Sequence, residues 1–155
     1  MDSVKQILQN VRYATISTVD DSPLPWAAPV WYVFDNALNI YWWSPVESIH
    51  SQNILNNGNI YITIFDSTLP EGKGIGVYMK ADATKLPAEE TEDVIKIYNA
   101  STTIYKLNMN NCSGDAPTRL YKATPKQLWI NDGETQNGFW VDIRKEIPFS
   151  KQIES

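Results

Sequence analysis

Apolar and polar positions alternate along much of the chain, and two stretches of helical spacing interrupt the alternation. "RYATISTV" (12–19) and "APVWYVF" (28–34) are rich in β-branched and aromatic residues and flank the turn-forming "DDSPLP", which predicts neighbouring strands. Asp35 and Asn36 mark a tight turn before a further strand through Trp43, the pattern of an antiparallel meander. In "NIYITIFD" (59–66), Ile60, Ile62 and Ile64 share one face and Tyr61, Thr63 and Phe65 the other. A strand apolar on both sides belongs between a core and a second covered surface. "VYMKADATKL" (77–86) sets Val77, Met79, Ala81 and Ala83 against a wetter face, and "TRLYKATPKQLWIN" and "NGFWVDI" close the set around the turn-rich "NDGETQNG". The ending "KEIPFSKQIES" reads as a loosely held tail.

Helical signals come twice. Ser44, Pro45 and Glu47 form a Ser-x-x-Glu capping box with proline at the first helical position, and Asn57-Gly58 supplies the stop. Pro87 and an acidic first turn open a second, amphipathic helix that gathers Val94, Ile97, Tyr98 and Ser101. Six or more strands joined mostly by short turns, with two helices between them, predict a mainly β fold: a closed or nearly closed antiparallel barrel. Nothing divides the 155 residues, so 1–155 is read as one domain.

Charge and cysteine usage narrow the function classes. With 13 Lys+Arg against 18 Asp+Glu, the formal charge of -5 supplies no basic face for nucleic acid or anionic membrane. The start "MDSVKQILQN" lacks the basic and apolar blocks of a signal peptide and no segment has the length of a membrane span, so a cytoplasmic protein is expected. Cys112 is the sole cysteine, which removes an internal disulfide, and no Cys/His cluster has metal-ligand spacing.

The candidate chemistry centres on "YWWSPVESIHSQNI" (41–54), which holds the only histidine, His50. Free N–H groups and the positive dipole end make the start of this helix an anion site, and Ser44, Ser48 and Ser51 are spaced to add hydroxyl donors. Ser44 serves equally as a structural N-cap. Trp31, Tyr32, Tyr41, Trp42 and Trp43 fit barrel core and interface before they fit a ligand platform. Gly72, Gly74 and Gly76 match no phosphate-loop pattern and mark a flexible hairpin, and no spacing joins Cys112 to His50 as nucleophile and base.

"PVWYVFD", the capped helix after it and "IFDSTLPEGKGIGVYMKA" together resemble the flavin-binding split β-barrel family related to pyridoxamine 5'-phosphate oxidase, over roughly the first 86 residues. The resemblance implies a homodimer with a flavin mononucleotide (FMN) at each interface. It implies that Pro29, Val30 and Trp31 run under the isoalloxazine ring, and that Trp43, Ser44, Ser48 and His50 surround the phosphate, with Asn53 in the same binding set. It also implies that the "EGKGIG" loop reaches the site across the dimer. Ile49 and His50 stand where better-known relatives carry an Arg-Lys pair, which removes charge-assisted contacts. Two functions follow: a flavin-dependent oxidoreductase, or a non-catalytic dimeric barrel holding flavin, haem or another planar ligand, with deazaflavin a further carrier. Arg144 and Lys145 do not make an Arg-rich ending, so efficient turnover of pyridoxamine phosphate is not expected.

Overall fold

The computed structural model describes residues 2–21 and 24–148, with the backbone alone for 2 and 3. The final residues of the expected tail, and two of the turn at 20–25, lie outside the described residues. Among the described residues seven strands form the sheet: β1 (Tyr13–Val19), β2 (Pro25–Phe34), β3 (Ile40–Pro45), β4 (Asn59–Asp66), β5 (Ile75–Lys85), β6 (Thr118–Gln136) and β7 (Phe139–Glu146). Their order is β3-β2-β1-β4-β5-β6-β7, every pairing is antiparallel, and a β3–β6 pairing closes the first six into the expected barrel. Ala123 is the closing residue, facing Ile40 on one side and Ala83 on the other.

β6 makes this possible by its length of 19 residues, pairing with β3 and β5 along its first part and with β7 beyond Trp129. The expected turn at "NDGETQNG" is therefore mostly ladder. Only Asn137 and Gly138 turn, both at positive φ (50° and 82°), the conformation that a two-residue hairpin requires of its central pair.

Among the described residues four helices accompany the strands, two more than the sequence pattern indicates: α1 (Asp2–Asn10), α2 (Ile49–Asn56), α3 (Ala88–Ser101) and α4 (Met109–Cys112). Val4, Ile7 and Leu8 of α1 are buried in the lumen cluster with Ile16, Ile62, Met79 and Trp42. The Tyr32 hydroxyl holds α1 down by donating to the carbonyls of Leu8 (2.9 Å) and Val11 (3.0 Å). Ile54 of α2 joins the same cluster, while Asn53 Nδ2 donates to Thr18 Oγ1 at 3.0 Å. Since α1 leads into β1 and Thr18 lies near its end, the two helices plug opposite mouths of the barrel.

α3 lies outside, on β2, β3 and β6, where Val94, Ile95 and Tyr98 pack against Val33, Tyr41 and Leu120. Its buried face is Thr91, Val94, Ile95 and Tyr98, so Ser101, expected there, is exposed and Ile97 only partly covered. The second apolar face of β2 is thereby covered over Trp31 and Val33 by the chain's own helix. β4 differs: its outward Tyr61 and Phe65 remain 53% and 43% exposed, with Tyr61 stacked on Trp129.

Candidate functional site

The residues around His50 come together, although not on one helix. Ser44 belongs to β3, and the helix starts four residues later than the capping-box reading placed it: Ser48 is the N-cap, without a side-chain cap bond. Ladder pairing wins over local capping here because Ser44 and Pro45 continue the β3–β6 register opposite Arg119 and Thr118. His50 joins the two elements: its Nε2 lies 3.0 Å from Ser44 Oγ and 3.1 Å from Ser48 Oγ. Ser48 Oγ lies 2.9 Å from the Pro45 carbonyl oxygen and 2.8 Å from Ser51 Oγ. Ser48 has a single proton for these two acceptors, Pro45 and Ser51, while its oxygen can accept from His50 Nε2–H.

Ser51 extends the network inward, to the Tyr121 hydroxyl. Burial raises the Tyr121 phenol above its ordinary range, against an opposing contribution from the Ser51 hydrogen bond. His50 is half-buried, and desolvation lowers its pKa below the usual imidazole value, favouring the neutral ring. The unfolded chain then binds a proton that the folded chain resists. Stability associated with His50 is present above about pH 6.5 and declines as pH falls below it. Thermal melts of wild type and His50→Gln between pH 7.5 and 5 are expected to diverge, with wild type losing more Tm toward acid; parallel curves would contradict this.

The other expected site residues divide. Val30 is 6% exposed in the lumen, so only its backbone could face a ligand, whereas Pro29 is exposed on the outer side. Asn53 is buried and engaged with Thr18, a bond that fixes α2 to β1 and leaves it apart from the His50 network. Trp43 points away from its neighbour Ser44, as consecutive strand residues must, and its indole N–H reaches the Asn111 carbonyl at 3.4 Å. On that outer face Tyr13 pairs with Trp31, and Trp43 pairs with Leu120. Trp31 packs edge-on against Tyr98 with ring centroids 4.8 Å apart. Tyr13, Trp31, Trp43 and Tyr98 wall a cleft of about 500 Å³, one strand position from the hydroxyl–imidazole network.

The strand end of the glycine-punctuated hairpin is tied to β6. Asn131 accepts from the Gly76 N–H at 2.5 Å and donates to the Gly74 carbonyl at 2.7 Å, while the Phe65 ring occupies the place of a Cβ on Gly74, 2.2 Å from it. Within one chain this loop borders a separate cavity with Tyr78 and Trp140.

Arg119, Tyr121 and Tyr98 carried no motif. Arg119 is the cation nearest in register to Ser44, but its guanidinium donates to the carbonyls of Gly114 (2.5 Å), Ala116 (2.6 Å) and Thr118 (2.7 Å). A phosphate at the start of α2 would therefore be held by hydroxyls, imidazole and first-turn N–H groups, a donor set that fits an anion without an ion pair. Among the described residues no group of His, Cys, Asp and Glu could hold a metal ion, and no helix is long and apolar enough to cross a membrane.

Solved structures share this fold. A candidate 5-nitroimidazole antibiotic resistance protein of Bacteroides thetaiotaomicron is 15% identical over 83% of this chain and 81% of its own, with TM-score 0.68. An FAD-binding protein of Mesorhizobium loti is 13% identical over 83% and 91%, TM-score 0.64. The haem storage protein HutZ of Vibrio cholerae is 17% identical over 82% and 91%, TM-score 0.63. At such identities the likeness is one of fold. No curated protein matches the chain by sequence. The sequence profile of the pyridoxamine 5'-phosphate oxidase family, however, matches residues 1–132, from α1 into the long closing strand. With most of its length and the whole barrel inside that match, this chain belongs to the pyridoxamine 5'-phosphate oxidase family.

Proposed function

We propose that the protein is a cytoplasmic homodimeric flavin-binding protein that holds FMN and serves as an oxidoreductase. The observation that carries this reading is the Ser44–Ser48–His50–Ser51 network at the helix start, a donor set suited to a phosphate; the aromatic wall of Trp31 and Trp43, suited to a planar ring, lies one strand position away on the other face of β3. The flavin would supply the hydride or electron chemistry, and the chain's residues would bind it and limit access. The unpaired Cys112 is in keeping with a reducing compartment. Exposed Tyr61 and Phe65 on β4 support a second copy as their cover, because apolar patches of this kind mark interfaces.

Pyridoxamine phosphate suits this chain poorly as substrate. Among the described residues the C-terminal cations Arg144 and Lys145 have partners: Arg144 lies 4.0 Å over the Tyr78 ring and pairs with Asp142, and Lys145 lies 3.9 Å from Asp132. A second reading, a non-catalytic holder of haem, draws on the neutral state of His50, the form in which imidazole ligates iron.

The visible spectrum of the purified protein, followed by FMN titration, tests the first reading. Flavin bands and saturable FMN binding are expected, with riboflavin weaker. A haem Soret band with no FMN binding would replace it with the second. Sedimentation is expected to show a dimer that Tyr61→Glu breaks into monomers; a wild-type monomer with and without FMN would remove the shared-site reading.

A further inference from the structure

We propose that the outer aromatic cleft binds a planar aromatic carboxylate, with Arg12 receiving the carboxylate. The cleft of about 500 Å³ adjoins a second cavity of about 320 Å³, and Arg12, Trp31 and Ser101 border both. Arg12 thus stands where the two spaces meet, beside the aromatic row on β1, β2 and β3. None of the ion pairs among the described residues involves Arg12. In a chain of net charge -5, a cation with no ion-pair partner among the described residues, at the junction of two cavities, is the feature that selects ligand charge.

The walls select ligand shape. Tyr13, Trp31, Trp43, Tyr98 and Tyr105 offer ring faces and edges, which favour a flat aromatic body over an aliphatic one. Tyr105 and Ile104, on the segment after α3, are 70% and 79% exposed beside the cleft, apolar surface that such a ligand would cover. The type of anion follows from α3, whose C-terminal residues Ser101 and Thr102 form part of the lining. A helix C-terminus presents partial negative charge and disfavours a phosphate dianion. Lys106, the cation close by, already donates to the carbonyls of Asn99 and Thr102. One planar guanidinium remains, which matches the two oxygens of a carboxylate.

This inference goes beyond the flavin reading and gives the cleft another occupant on the same aromatic wall, so acid and flavin ring would compete for it. Calorimetric titration of the full chain, purified without added cofactor, with 2-naphthoate and with 2-naphthalenemethanol compares an acid with a neutral ring of the same shape. Wild type is expected to bind the acid about tenfold more tightly. Arg12→Gln, an exposed substitution whose folding circular dichroism can verify, is expected to abolish that preference, and Arg12→Lys to retain part of it. Equal binding of acid and alcohol by wild type, failure of both to bind, or a preference that survives Arg12→Gln would overturn the proposal. Acid binding without FMN binding would sink the flavin reading alone; FMN binding without an Arg12-dependent acid preference would sink this one alone.

Discussion

Replacing Trp42 with alanine is expected to destabilise the protein by about 3–5 kcal/mol, the cost of losing a large aromatic and leaving a cavity. Trp42 is fully buried, faces Tyr32 across β2–β3 and stacks on Tyr121 with ring centroids 5.8 Å apart and planes at 14°. It therefore ties the β3–β6 closure to the lumen core, and its loss is felt on both sides. Its indole N–H, however, has no hydrogen-bond partner among the described residues. A buried, unpaired donor costs about 1–3 kcal/mol. Trp42→Phe removes that donor while keeping a stacked ring, so the relief offsets much of the lost volume, and a net change under about 1.5 kcal/mol is expected. Urea denaturation of the three proteins checks the pair of statements. An alanine variant within 1 kcal/mol of wild type, judged against that same cavity cost, would contradict the first; a phenylalanine variant as weak as the alanine one would contradict the second.

His50→Lys is expected to tighten FMN binding about tenfold or more at pH 8, a gain in line with roughly 1.5–3 kcal/mol for a charge-assisted hydrogen bond. At that pH the native imidazole is neutral, since burial holds its pKa below the usual value, and it offers the phosphate one uncharged donor. Lysine would bring the cation that neither Ile49 nor the carbonyl-bound Arg119 supplies. For wild type, bound phosphate favours the imidazolium, so affinity should rise as pH falls. The lowered pKa of the free protein sets where that rise levels off, at more acid pH than the unperturbed value indicates. His50→Ala should lack the rise, and riboflavin should respond to neither substitution nor pH. Fluorescence titrations supply the affinities, and an unchanged FMN affinity in His50→Lys would exclude His50 from the phosphate site.

Much of the barrel was legible because strand alternation is a local signal. Val77, Met79, Ala81 and Ala83 point inward as their period of two required, and so do Ile60, Ile62 and Ile64. The signal for α1 is present too: Val4, Ile7, Leu8 and Val11 follow the i, i+3, i+4, i+7 spacing of an amphipathic helix. α4 is four residues with an Asn108–Asn111 capping box, too short for any periodicity to register. The start of α2 was misplaced because Ser44-x-x-Glu47 satisfies the capping pattern and Ser48 satisfies it less well. Local preference of that kind is worth about 1 kcal/mol, and the backbone ladder with β6 outweighs it.

By itself the sequence determined which residues are strand-like, which faces are apolar, that the chain is acidic and that a single imidazole sits near a helix start. Each is a property of residues within a few positions of one another. Tertiary structure alone decided which separated residues meet. Closing β3 onto β6, about 80 residues later in the chain, places Ser44 opposite Arg119 and Trp42 on Tyr121. Folding α3 over β2 turns an apolar strand face into the wall of a cleft, leaves Arg12 at its edge and completes it with Tyr98. Those encounters depend on strand register and chain crossing, where a shift of one residue moves every side chain to the other face, so no local pattern encodes them.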